Sequence, residues 1–126
     1  DSMSMEQSTP VKLPGFTAAA DLTASQYCFV EIVAGTKTVN LVNAVTDRPV
    51  GVLVNKPKSG EAAEIVVLGI CPVKAGETVA AGDMLSVSST GLATNDTAQT
   101  GTTYQGRILS AAASGELATC LINCVV

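Results

Sequence analysis

Histidine and tryptophan are absent from this chain, and only two tyrosines and two phenylalanines are present. Without histidine there is no imidazole general base and no usual zinc or haem ligand set. No Gly-x-Gly-x-x-Gly occurs, no phosphate loop ending in Gly-Lys-Ser or Gly-Lys-Thr, and no Gly-x-Ser-x-Gly. Charge is also scarce: 14% of residues, with a net charge of −4. Arg48, Lys56 and Lys58 are scattered rather than clustered. Nucleic acid is therefore not an expected partner, because neutralising phosphates needs grouped Lys or Arg. Nor is a membrane, because there is no polybasic run. No apolar run reaches the roughly 18 residues of a spanning helix. Asp1–Thr9 has neither a basic region nor an apolar core, so no signal peptide is expected there.

What is present is a chain of 126 residues that is 47% hydrophobic, sized for one domain with a modest core. Ala, Val, Leu and Ile must fill that core. Low charge and many small residues suit a protein that buries surface in an assembly. Each of Cys28, Cys71, Cys120 and Cys124 sits inside an apolar run. Cys120 and Cys124 lie on one predicted strand, roughly 13 Å apart at about 3.3 Å per residue. They cannot bridge each other or share a metal while that strand is extended. All four read as small core hydrophobes with free thiols, which suits assembly in a reducing cytoplasm.

The second half of the chain repeats the pattern of the first, 55 positions on (Gly51 to Gly106). Residues 51–63 and 106–118 align without a gap. Gly51/Gly106, Ser59/Ser114, Gly60/Gly115, Glu61/Glu116 and Ala63/Ala118 are identical. Phe29-Val30-Glu31-Ile32 falls opposite Met84-Leu85-Ser86-Val87. Two copies of so long a period do not make a solenoid. They predict one compact domain with an internal two-fold repeat.

Short strands separated by turns follow along the chain: residues 27–33, 38–42, 50–55, 62–73, 84–88, 104–110 and 117–126. The long run 62–73 is expected to bend at Gly69. Asp47-Arg48-Pro49 reads as a turn, and Asn95–Thr103 as an exposed Thr-rich loop. Helical turns are expected at Ala18–Leu22 and Ala111–Ala113. The spacing predicts an all-β fold, a compact small barrel or sandwich of short strands. Residues 1–20 read as an extended N-terminal arm and 21–126 as the β-rich domain. Pro10 and Pro14 keep the arm out of a helix. Val11, Leu13 and Phe16 are apolar without a sequence-local partner. Either they pack back on the domain or they await another protein.

A carboxylate pair is the remaining catalytic option, and Glu61 with Glu116 is the obvious one. Both follow Ser-Gly in a turn, where a solvated acid is the ordinary outcome. Asp47 and Asp83 also sit in turns and read as turn-stabilising side chains. No catalytic residue, metal site or cofactor is expected.

Several ordered runs together resemble the small head-decoration, or capsid cement, proteins of tailed bacteriophages. They are Asp47-Arg48-Pro49-Val50-Gly51-Val52-Leu53, Ser59–Gly69, Val79–Leu85 with Thr90-Gly91-Leu92-Ala93, and Gly106–Leu109 with Ser114-Gly115-Glu116. The resemblance spans residues 20–126. It implies a non-enzymatic virion protein on the outer face of the capsid, assembled in the host cytoplasm, that braces the shell. It also implies the major capsid protein as partner and self-association, often as a homotrimer. Pro10, Val11, Lys12, Leu13, Pro14 and Phe16 are the expected capsid-binding residues, through strand addition by the arm. A β-barrel adaptor or tail component, or a small ligand-binding β-barrel, are the alternatives. The last usually needs polar and aromatic groups converging on a pocket.

Overall fold

The computed structural model describes residues 10–44, 48–95 and 104–125. Asp1–Thr9, Asp47 and the Thr-rich loop beyond Asn95 lie outside them. Among the described residues there is no helix. Ten strands form one sheet: β1 Val11–Leu13, β2 Thr17–Ala18, β3 Phe29–Ile32, β4 Thr38–Leu41, β5 Gly51–Leu53, β6 Ile65–Lys74, β7 Met84–Val87, β8 Ala93–Thr94, β9 Gly106–Ile108 and β10 Leu117–Asn123. The expected helical turns are absent. Ala18 is in β2, hydrogen-bonded to Glu61, and Ala112 forms a bridge with Val79. In both places exchange with a neighbouring strand overrides alanine's helix preference.

The strand path is β2-β4-β3-β5-β6-β10-β9-β7-β8, with β1 attached to β6. Apart from β2 at one end, it reads the same from either side of the central β6–β10 pair. The repeat therefore extends to topology and, across β3–β5–β6 and β7–β9–β10, to register; β8 pairs with β7 one residue out of step with β4 on β3. Phe29 pairs with Val52 and Val30 with Gly51; their counterparts Met84 with Arg107 and Leu85 with Gly106 do the same. Val52 pairs with Val66 and Leu53 with Ile65, as Arg107 pairs with Leu121 and Ile108 with Cys120.

Turn chemistry repeats too. Gly60 and Gly115 both have positive φ, 84° and 87°. At each turn the glutamate carboxylate accepts from a backbone amide three residues back: Lys58 to Glu61 at 2.8 Å, Ala113 to Glu116 at 2.9 Å. Gly51 and Gly106 are required for a different reason. A Cβ at either would strike the backbone carbonyl of the neighbouring strand, Val66 or Leu121.

The repeat also takes in the N-terminal segment, at a slightly longer spacing. Ala63 donates to Phe16 as Ala118 pairs with Val73. Ala18 donates to Glu61 at 2.9 Å as Ala75 donates to Glu116 at 2.8 Å. Leu22 donates to Pro57 as Val79 donates to Ala112, each at 2.9 Å. Val11–Ala18 is thus to the first unit what Leu68–Ala75 is to the second. β6 serves both units: its start closes the first and its end opens the second. The bridges Thr17–Ala62 and Ala75–Ala93 fold each unit back on itself. The bend expected at Gly69 coincides with a φ of 123°, and Pro10 lies against its bare Cα.

Side chains alternate across the strands, so each unit has an inward and an outward row. Inward in the first unit are Val30, Val39, Leu53, Ala63 and Ile65, packed with Ala18 and Leu22; Leu13 and Phe16 pack against them. Inward in the second are Leu85, Ile108, Ala118, Cys120 and Ile122, packed with Ala75 and Val79. Leu53, Ile65, Leu85, Ile108 and Ile122 are fully buried. Each contributes about 1.5–3 kcal/mol by leaving water.

Candidate interaction surfaces

The outward rows of the two units meet different fates. In the first unit the row is Phe29–Val52–Val66, paired strand to strand and fully or almost fully buried. These residues belong to the cluster that also holds the second unit's interior, and Val87 and Cys124 pack against it. The backbone joins the units there as well. Phe29 donates to Gly91 at 2.8 Å and Lys74 to Tyr27 at 2.9 Å. The first unit's outward face is therefore the internal seam of the molecule.

In the second unit the equivalent row is Met84–Arg107–Leu121, and it continues to Ile70 on β6. Leu121 is 42% exposed, and nearby Leu109, Leu117 and Leu68 are 42%, 47% and 39% exposed. Leu109 and Leu121 lie on either side of Thr119, and Leu68 and Ile70 flank Gly69 on the adjoining strand. This is a continuous, largely aliphatic face on a chain with few exposed large hydrophobes. Patches of this kind mark contact sites.

The arm residues singled out from the sequence are divided. Val11–Leu13 pairs antiparallel with β6 at Leu68, Val66 and Ile65. Leu13 and Phe16 pack against the first unit's core. Lys37 lies over the Phe16 ring at 5.6 Å. Val11, Lys12 and Pro14 are exposed, Pro10 is half-buried, and Lys12 reaches Glu64 at 3.4 Å. Of the two alternatives the sequence leaves open, Leu13 and Phe16 take the first and pack back on the domain, whereas the Val11 side chain stays exposed on its paired strand.

Glu61 and Glu116 are committed to their turns and lie one in each unit, so they do not converge. Asp83 accepts from the Asn95 side chain and the Ala80 amide, and these bonds hold its carboxyl below the usual range. Cys71 faces Cys120 across the β6–β10 pair. Burial pushes Cys71, Cys120 and Cys124 up to about 12 and raises Cys28 as well, so all four are neutral thiols at physiological pH. Thiols in that state are poor nucleophiles and poor metal ligands. Among the described residues no group of His, Cys, Asp or Glu is placed to hold a metal ion.

A fold with structured outward faces and turn-bound carboxylates is suited to binding, and the comparisons agree. Residues 11–124 match the phage cement protein family. The chain belongs to that family. It is thus a structural virion protein that decorates the phage capsid and stabilises its shell. Two solved structures share the fold. One is the N base of head fiber gp8.5 of bacteriophage phi29, with a TM-score of 0.66 and 20% identity over 92% of this chain and 96% of that one. The other is from the capsid of Myoviridae phage XM1, with a TM-score of 0.66 and 16% identity over 94% of this chain and 86% of that one. No curated protein matches the sequence.

Proposed function

We propose that this cement protein sits on the outer face of the capsid as a homotrimer, acting by binding and not by catalysis, with the major capsid protein as its partner. The observation that carries the reading is the exposed aliphatic face of the second unit beside an exposed N-terminal strand. Two separate contact surfaces suit a protein that must hold both its own copies and the shell. The shell contact is assigned to the exposed part of the arm, Val11, Lys12 and Pro14, with Pro10 at its start. Leu13 and Phe16 anchor that strand to the first unit rather than reach for the partner.

The test is co-sedimentation with empty expanded capsids. Val11→Asp and Pro14→Asp should weaken attachment while leaving the melting temperature and solution mass unchanged. Unaltered decoration by both variants would remove the arm from the shell contact. Point substitutions serve better than deletion of residues 1–16, because the deletion also strips β6 of its β1 partner.

A further inference from the structure

We infer that copies of this chain join head to tail by repeating the seam that joins the two units within it. The inference rests on the self-association proposed above and names its surfaces. Within the chain, the outward face of the first unit receives the β7–β8 end of the second: Gly91 accepts from Phe29, and Val87 packs against the cluster that this face shares with the second unit's interior. Both halves of that seam have a bare counterpart. The counterpart of the receiving face is the Met84–Arg107–Leu121 row with Leu109 on the second unit, where Met84 is half-buried and the other three are exposed. The counterpart of the inserted end is the β3–β4 turn of the first unit, where Ile32 stands in the place of Val87. Ile32 is 43% exposed. The two turns share one hydrogen bond, Thr36 donating to Val33 and Gly91 to Ser88, each at 3.1 Å, and differ by one residue in the next, Val33 donating to Thr38 but Ser88 to Leu92, each at 2.9 Å.

The bare face runs on directly from the seam along β6, from buried Val66 to exposed Leu68. Charge supports the same partner. Arg107 replaces Val52 and Lys74 adjoins the face, making it basic, while Glu31 beside Ile32 replaces Ser86. Opposite charges thus appear on the two sides of the intermolecular contact, at positions that are uncharged Val52 and Ser86 in the internal seam. A heterologous contact of this type closes into a ring or grows into a filament. A homotrimer closed in this way alternates first and second units around its axis.

Sedimentation velocity on the full chain tests the arrangement, with two variants that each disable one half. Leu121→Glu spoils the receiving face and Ile32→Glu the inserted turn; Leu109→Glu replaces the former if it fails to fold. Each variant alone should be monomeric at concentrations where the unaltered chain is assembled. Mixed in equal amounts they should form a one-to-one dimer and nothing larger, because each retains the half the other lacks. If both variants assemble like the unaltered chain, self-association stands but these surfaces are wrong. If the mixture stays monomeric while both lose only capsid attachment, the face belongs to the shell and the inference fails. An unaltered chain that is monomeric at every concentration and on the shell overturns both readings.

Discussion

The two units share strand order, the register of three of their strands and turn chemistry, yet one is buried on both faces and the other on one. Val52 and Arg107 occupy the same place in the same pairing, Val52 fully buried and Arg107 exposed. The unit itself is defined by its inward row and its turns. What lies on its outward face depends on what it meets, and in the second unit that is left to another molecule. A duplicated unit thus supplies both a seam and a spare copy of it.

The largest effects should come from the positions where both units need glycine. Gly106→Ala drives a Cβ into the Leu121 carbonyl from a φ of 144°, and Gly51→Ala strikes the Val66 carbonyl without a positive φ. Denaturant unfolding should show a loss of about 3 kcal/mol or more for Gly106→Ala, with Gly51→Ala somewhat milder. Equal tolerance of alanine at both would mean that the strands are not so closely paired.

Inward positions should behave alike. Leu53→Ala and Ile108→Ala remove fully buried counterparts, and each should cost about 2–5 kcal/mol in the same assay. A difference of several kcal/mol between them would break the equivalence of the two interiors.

The thiols offer a contrast between units, because Cys120 stands where the first unit has Ile65. Folded thiols titrate near 12 at Cys71, Cys120 and Cys124, against an ordinary value of 9.0. Their neutral form is favoured in the fold, so this contribution is intact below about pH 9 and is lost as pH rises toward 12. The melting temperature should fall over that window, and Cys120→Ile should make the fall shallower. An unchanged alkaline profile in Cys120→Ile would show that the thiol ionises as freely folded as unfolded.

A smaller effect is expected at the start of β3 and β7. Tyr27 has a φ of 67°, and its counterpart Gly82 has 95°. Nothing lies within 4 Å of a Cβ at Gly82, so Gly82→Ala meets only backbone strain. It should cost about 1–2 kcal/mol. No change in melting temperature would show that this corner relaxes.

Much of the architecture is legible in the amino-acid sequence. The offset between Gly51 and Gly106 locates three strands of each unit, because close backbone approach and left-handed turns restrict those sites to glycine. The Ser-Gly-Glu turns are visible for the same reason. The N-terminal strand does not stand out as part of the repeat. Its spacing differs, and matches such as Phe16 with Val73 or Leu22 with Val79 are only apolar for apolar. The bare face is hidden too. Alternation shows that Leu121 and Val66 share one side of the sheet, but not which of them is covered. Leu121, Leu109 and Met84 read like core residues because they occupy positions that are core in the other unit.

The most direct test of unequal outward faces is thermal unfolding of the counterpart pair Val66→Ala and Leu121→Ala at concentrations low enough to keep the chain monomeric. Val66 is almost fully buried in the seam, whereas Leu121 is 42% exposed. The monomer should lose about 1.5–3 kcal/mol from Val66→Ala and less than about 1 kcal/mol from Leu121→Ala. At concentrations where copies assemble, the loss for Leu121→Ala should grow to match its counterpart. Equal losses in the monomer, or a Leu121→Ala loss that does not depend on concentration, would contradict the account.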